Sequence, residues 1–137
     1  MAGLLVRDRA AELRAFITRG FGLPLTRGGS DCCLWPCDWI VAWRGLDPAA
    51  QLRGRYRTAL GAERHLRRAG GLLPLARRLM AETGLPEAVE PVPGDVGVVM
   101  DRAGQIIMAI RDGQEWAAKA DEGVLIEDLP MLAAWSI

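Results

Sequence analysis

The chain has 137 residues, of which 50% are hydrophobic and 25% charged, and its formal net charge is zero. These values fit one globular domain with a substantial core, spanning residues 1–137. No apolar stretch approaches the roughly 20 residues that a transmembrane helix needs, so insertion into a membrane is not expected. The apolar start, Met1–Leu5, is short and is followed at once by charged residues, which does not predict a signal peptide.

Charge is divided unevenly along the chain. Residues 1–80 contain 14 arginines and 6 acidic residues, whereas residues 81–137 contain 3 basic and 11 acidic residues. Such polarity can steer association with another copy of the chain or with a charged partner. The simpler interpretation is that the two parts fold together and neutralise each other.

Residues 1–85 predict a helical region. Apolar residues recur at helical spacing from Leu5 to Thr18, before a loop that contains glycine and proline. A second helix is predicted from Asp31 to Arg44, and it either begins near Cys33 or bends at Pro36, because proline is tolerated only in a first turn. Three further helices are predicted: one that opens at Asp47-Pro48, one over Thr58–Ala69 and one over Leu72–Thr83.

Residues 92–137 predict a β-sheet. Turn-forming residues at Asp101–Gly104 and Asp112-Gly113 separate runs of β-prone residues. The predicted strands are Val96–Val99, Ile106–Ile110 and Glu115–Ala118, and further strands at Val124–Ile126 and Ala133–Ile137 are compatible with the pattern. Helices followed by strands indicate an α+β fold, with N-terminal helices packed on a C-terminal antiparallel sheet.

Three tryptophans recur every four residues on the second predicted helix. Trp35, Trp39 and Trp43 therefore share one face of it. We predict that they form the main wall of the core and that the Trp39 face packs against the sheet that follows Gly94. The alternative is an exposed aromatic interface, because tryptophan is enriched at binding hot spots.

The cysteines cluster at Cys32, Cys33 and Cys37. An odd number of cysteines without an export signal argues against a disulfide framework. Cys32 stands where a polar loop turns into a helix, and helix N-termini favour thiolate over thiol, so Cys32 is the candidate nucleophile. The three cysteines and His65 could supply four metal ligands, but buried inert cysteines are the simpler interpretation, and neither a metal nor a cofactor is predicted.

A run of arginines between residues 53 and 78 contains few acidic residues. Such clusters neutralise phosphates in nucleic-acid-binding proteins. Tyr56 is the one aromatic residue in this stretch that could stack on bases, so nucleic-acid binding is not expected. The single histidine, His65, lies within this basic helix, which favours a surface position over the role of a general base.

The order of motifs resembles the NlpC-type cysteine peptidases. Asp31-Cys32 matches their nucleophile pair, Gly94-Asp95-Val96 matches their strand opener, and Ala109-Ile110 matches the Gly-Ile of their base-bearing strand. The resemblance implies a papain-like scaffold in which Cys32 opens a helix packed on the sheet. It also places Ile107 where the family has its catalytic histidine. Isoleucine cannot abstract a proton, so the resemblance implies that Cys32 is vestigial.

A second resemblance, to short phage and prophage tail-gene proteins, covers almost the whole chain. Its motifs are Asp31-Cys32, Asp38-Trp39-Ile40, Gly45-x-Asp47-Pro48, Arg53-Gly54-x-Tyr56, Gly70-Gly71-Leu72, Gly94-Asp95-Val96 and Ala134-Trp135. This family is similar to the NlpC-type peptidases but lacks the histidine. The resemblance implies a virion protein of the phage tail tip or baseplate, made in the bacterial host cytoplasm.

The implied role is structural or in assembly, with other tail-tip proteins as partners and with self-association and peptidoglycan contact as further options. The alternative is an active cysteine peptidoglycan hydrolase or amidase. In that case Cys32 would use a non-standard base, such as His65 or a residue of a partner chain.

Overall fold

A computed structural model describes residues 6–137, which form four helices and five strands, with the helices first. The helices are α1 (Arg9–Phe21), α2 (Leu34–Arg44), α3 (Ala59–Arg68) and α4 (Leu72–Thr83). The strands are β1 (Val96–Met100), β2 (Ile106–Asp112), β3 (Glu115–Ala120), β4 (Gly123–Glu127) and β5 (Met131–Trp135). The predicted α+β class is therefore confirmed. No helix in this described part is both long and apolar enough to cross a bilayer.

The five strands form one antiparallel sheet in the order β4-β3-β2-β1-β5. The helices pack on one face, where side chains such as Val98, Met108 and Ile110 join the main core. The opposite face carries a second buried cluster that includes Trp116, and Leu129 from the β4–β5 connection packs on it. Both faces of the central strands are thus covered.

The predicted turns between the first three strands are confirmed. The carboxylate of Asp101 accepts the backbone N–H groups of Ala103 and Gln105 at 2.9 and 2.8 Å, which closes the β1–β2 turn. Asp112 and Glu115 form the last pair of the β2–β3 ladder, and Gly113 between them has a φ of 62°. Glycine adopts this left-handed conformation without steric cost, as a two-residue hairpin requires.

The helix predictions differ from the structure at three points. The predicted start at Leu5 lies outside the described residues, and α1 begins at Arg9 and continues to Phe21. α2 begins at Leu34, so Pro36 lies in its first turn, where a missing N–H group is harmless. The helix predicted from Asp47-Pro48 is wrong: residues 48–54 form turns.

The reason for the missing helix lies in the partners of Asp47. Its carboxylate accepts the N–H of Ala49 at 3.0 Å, as an N-cap would. It also binds the guanidinium of Arg53 at 2.7 Å, and Gly54 then hydrogen-bonds to the carbonyl of Gly28. The local capping signal is therefore genuine, but these contacts hold the following residues as a compact turn.

The tryptophan face of α2 packs as predicted. Trp39 is 1% exposed, and its indole N–H donates to the carbonyl of Gly94 at 2.7 Å, directly before β1. Trp35 is also buried, and Phe16 of α1 stacks on it with ring centroids 5.3 Å apart. Trp43 is half-buried and lies at the rim of the core, where the guanidinium of Arg7 covers its ring.

The carboxylate of Asp95 joins the sheet to the rest of the protein. It is buried and accepts the N–H groups of Val92 at 2.9 Å and Ile137 at 3.1 Å. It also pairs with the guanidinium of Arg9 at 3.1 Å, and this arginine donates to the carbonyl oxygens of Pro93 and Ile137. Asp95 thus connects α1, the start of β1 and the segment after β5.

Lys119 on β3 makes a second connection between α1 and the sheet. Its ammonium group is buried and donates to the carbonyl oxygens of Gly20, at 2.9 Å, and Leu23. Carbonyl groups at a helix C-terminus are left without intrahelical partners and attract positive charge. Burial lowers the pKa of Lys119, and these carbonyl groups compensate for part of its lost hydration.

We predict that Trp39→Ala lowers the free energy of unfolding by about 3–5 kcal/mol, the usual loss for a buried large aromatic side chain. The indole hydrogen bond to Gly94 is lost as well. Trp43→Ala is the matched control on the same helix, and its loss should be clearly smaller because Trp43 is half-buried. Guanidinium unfolding curves of both variants measure the difference, and equal losses would contradict the packing described here.

Candidate functional site

The loop before α2 is organised by the buried carboxylate of Asp31. Its Oδ1 accepts the backbone N–H groups of Cys33 and Leu34, both at 2.9 Å. Its Oδ2 accepts the N–H of Gly28 at 3.1 Å and the hydroxyl of Tyr56 at 2.6 Å. Negative charge at a helix start satisfies free N–H groups and opposes the helix dipole. Asp31 therefore fixes where α2 begins, and its four hydrogen bonds leave it little capacity for other chemistry.

The segment around Tyr56 is held tightly against this loop. Gly28 has a φ of 80°, and a Cβ atom at this position would overlap the carbonyl oxygen of Tyr56. Its own carbonyl accepts the N–H of Gly54 at 3.1 Å. Glycine is thus needed here both for its conformation and for the close approach of two backbone segments.

The three cysteines have different environments. Cys33 and Cys37 are buried, whereas Cys32 is half-buried. A hydrogen bond from the Cys33 thiol lowers the pKa of Cys32, burial and the negative charge of Asp31 oppose this shift, and Arg27 makes a smaller contribution that lowers the pKa. The same hydrogen bond and burial raise the pKa of Cys33, and burial raises that of Cys37 to about 12. The prediction of buried thiols therefore holds for Cys33 and Cys37, and Cys32 is the most exposed of the three.

Cys32 lies on the wall of a cavity of about 370 Å³. Tyr56, His65 and Ile107 line the same cavity, so the structure brings together residues from the segment before α2, the segment before α3, α3 and β2. His65 is half-buried, which corrects the expectation of a plain surface position. Its Nε2 lies 3.2 Å from the carbonyl oxygen of Arg55, and its ring is 5.5 Å from that of Tyr56.

The proton chemistry of the cavity is limited. Within residues 6–137, no hydrogen bond links His65 to Cys32 or Cys33, and Nε2 of His65 already contacts a backbone carbonyl. Burial and the hydrogen bond to Asp31 raise the pKa of Tyr56, so its hydroxyl stays protonated. The arrangement favours ionisation of the Cys32 thiol, but in the described residues it does not present a base in contact with that thiol.

A metal site was tested against the same residues. Donor atoms of Asp31, Cys32 and Cys33 lie within 4.8 Å of one another, whereas Cys37 and His65 are outside this group. A closed zinc site usually needs four ligands, and Asp31 would have to give up hydrogen bonds that hold the start of α2. The four-ligand set considered from the sequence is therefore not assembled in the described part of the chain.

Two residues of the site, Tyr56 and Arg27, were not predicted from the sequence to have a role in it. Tyr56 is 25 residues from Asp31, and only the fold brings its hydroxyl to that carboxylate. Arg27 lines the cavity and favours the thiolate of Cys32. The motif Arg53-Gly54-x-Tyr56 singled out Tyr56, because it places a tyrosine beside a glycine turn. It did not indicate that Asp31 is the hydrogen-bond partner of this tyrosine.

The site is thus a thiol-bearing cavity at the start of a helix that packs on an antiparallel sheet. Residues 6–137 match the family described as Domain of unknown function (DUF6950), and the chain belongs to this family. No curated protein and no solved structure matches the chain.

We predict that iodoacetamide alkylates Cys32 first in the folded protein. Because its pKa is lowered, the alkylation rate should reach half its maximum at a lower pH than for free cysteine. Arg27→Gln should move this midpoint upward, since Arg27 favours the thiolate. Peptide mass spectrometry across a pH series measures both effects. Alkylation of Cys33 or Cys37 before Cys32 would contradict the assignment, because both are buried.

Proposed function

We propose that this chain is a structural or assembly component of a phage tail tip or baseplate, built on an NlpC-type, papain-like scaffold without hydrolytic activity. The observation that supports it most is the cavity position of Ile107. This residue corresponds to the catalytic histidine in the sequence resemblance, and it lines the cavity beside Cys32. An isoleucine among the lining residues, in place of a histidine, supplies no base at this position of the proposed scaffold.

The arrangement of elements is compatible with this scaffold. Cys32 precedes α2, which packs on the sheet through Trp39, and Gly94-Asp95 leads into β1. Hydrolysis of an amide needs a base to activate the nucleophile and an acid to protonate the leaving amine. Asp31 is committed to four hydrogen bonds, and His65 makes no hydrogen bond to Cys32 within the described residues, so neither is in contact with the thiol as a base.

The charge distribution supports docking in an assembly. Ion pairs such as Arg9–Asp95 and Arg77–Glu87 neutralise part of the opposite charge within the fold. On α3, however, Leu60, Arg64 and Arg68 are exposed and recur every four residues, so they share one face. An apolar side chain flanked by cations suits an acidic partner surface, on another tail-tip protein or on a second copy.

The proposed role implies where the protein is made and where it acts. It is made in the bacterial host cytoplasm and is incorporated into the virion, where contact with peptidoglycan is compatible with a tail-tip position.

We predict that the purified protein shows no peptidoglycan hydrolase activity in a zymogram, and that Cys32→Ala leaves its incorporation into particles unchanged. The physical reason is the missing proton transfer at the cavity. Quantitative mass spectrometry of purified particles measures incorporation. Absence of the chain from particles made by the genome that encodes it would overturn the virion assignment.

The alternative, an active cysteine hydrolase, is favoured by one observation: His65 and Cys32 line the same cavity. It predicts a zymogram band that disappears in both Cys32→Ala and His65→Ala. Arg64→Ala is the matched control, because Arg64 precedes His65 on α3 but does not line the cavity. A band that is lost in Cys32→Ala and His65→Ala but kept in Arg64→Ala would support the enzymatic function and contradict the structural role.

We predict that Arg64→Glu combined with Arg68→Glu reduces incorporation into particles, and that binding of the unchanged protein weakens as salt rises. Exposed charges are screened over about 10 Å at 0.1 M ionic strength. Arg14→Glu combined with Arg19→Glu on α1 is the matched control. It makes the same change in net charge, and Arg19 lies in the last turn of α1 as Arg68 lies in the last turn of α3. Equal incorporation of both double variants would remove α3 as the docking face.

A further inference from the structure

The cavity beside Cys32 has a polar entrance and a hydrocarbon interior. Among its lining residues, Glu63 and Gln105 are exposed, whereas Leu75 and Ile107 are buried. Leu52, Leu66 and Ile106 are half-buried and extend the apolar wall. The volume of about 370 Å³ falls within the range of sites that hold small organic ligands, about 300–1,000 Å³. The volume and the apolar part of the lining suit an aliphatic chain.

The chemistry of the site narrows the reactions that Cys32 can undertake. Cleavage of an amide requires protonation of a poor leaving group, and in the described part of the chain no histidine or carboxylate is hydrogen-bonded to the Cys32 thiol to deliver that proton. Exchange with a thioester is different, because the leaving group is a thiolate, which departs without a proton donor. Because Cys32 and Arg27 both line the cavity, a thioester bound there meets the thiol beside a positive charge that favours its ionised form.

We propose that Cys32 accepts an acyl group from a pantetheine-type acyl thioester, such as an acyl-coenzyme A, and holds the aliphatic chain in the cavity. The Cys32 proton is first released to solvent. Sγ then attacks the thioester carbonyl carbon, a new S–C bond forms, and the C–S bond to the donor breaks. Its electron pair leaves on the donor sulfur, which takes a proton from solvent, so no oxidant or reductant is involved.

The same features make the new thioester persistent. Its hydrolysis requires a base that activates water, and Asp31 is occupied by four hydrogen bonds. Of the other candidates on the cavity wall, Glu63 pairs with Arg67 at 3.0 Å and Nε2 of His65 lies 3.2 Å from the carbonyl oxygen of Arg55. An acyl chain against Leu66, Leu75 and Ile107 also excludes water from the thioester carbon. Cys32 thus accepts one acyl group and keeps it, and it does not catalyse repeated acyl transfer. This inference stands independently of whether the chain is incorporated into particles.

The test uses the full chain, octanoyl-coenzyme A and intact-mass spectrometry. We expect one octanoyl group per chain, located on Cys32 by peptide mapping, removed by neutral hydroxylamine and absent in Cys32→Ser. Octanoyl-coenzyme A should react roughly tenfold or more faster than acetyl-coenzyme A, because the longer chain buries more methylene groups in the cavity. Equal rates for the two donors would overturn the proposal.

Two variants on α3 separate the cavity from general thiol reactivity. Leu66→Asn should remove most of the preference for octanoyl over acetyl, because Leu66 lines the cavity. Leu60→Asn is the matched control and should keep the preference, because Leu60 is 57% exposed and lies outside the cavity lining. Loss of the preference in both variants, attachment to Cys33, or catalytic release of octanoate would each contradict a persistent acyl group on Cys32.

Discussion

The buried carboxylate of Asp31 is the interaction on which the candidate site depends. A charge removed from water is tolerated only when it is fully hydrogen-bonded, and Asp31 meets this condition with three backbone N–H groups and the hydroxyl of Tyr56. It thereby joins the loop at Gly28, the start of α2 and the segment before α3. Because these pieces meet at one side chain, the position of Cys32 is set by the fold, and the carboxylate that sets it is unavailable as a base.

Asp95 plays the corresponding role for the sheet, where it receives N–H groups from Val92 and Ile137 and pairs with Arg9. Asp31 and Asp95 belong to the two motifs that suggested a cysteine peptidase. Both side chains serve folding here, so the motifs are explained without any catalytic role. A peptidase-like sequence pattern therefore does not by itself require a catalytic base in this chain.

Sequence patterns predicted the features that depend on residues close together in the chain. The four-residue spacing of Trp35 and Trp39 identified the buried face of α2, and the glycine turns identified the hairpins. Asp47-Pro48 gave a correct capping signal but a wrong helix, because Arg53 holds the following residues in a turn. The pairing of Asp31 with Tyr56 and the position of His65 beside the cavity could not be predicted, since each depends on contacts between segments that are distant in sequence.

Helix α3 closes one side of the cavity, yet every residue in it keeps part of its surface exposed. Buried apolar contact is the main source of resistance to local opening, and segments that lack it open at a free energy well below that of global unfolding. The backbone amides of α3 should therefore exchange with solvent sooner than those of α2 or β1. Local opening of α3 then removes one wall of the cavity that Cys32 lines.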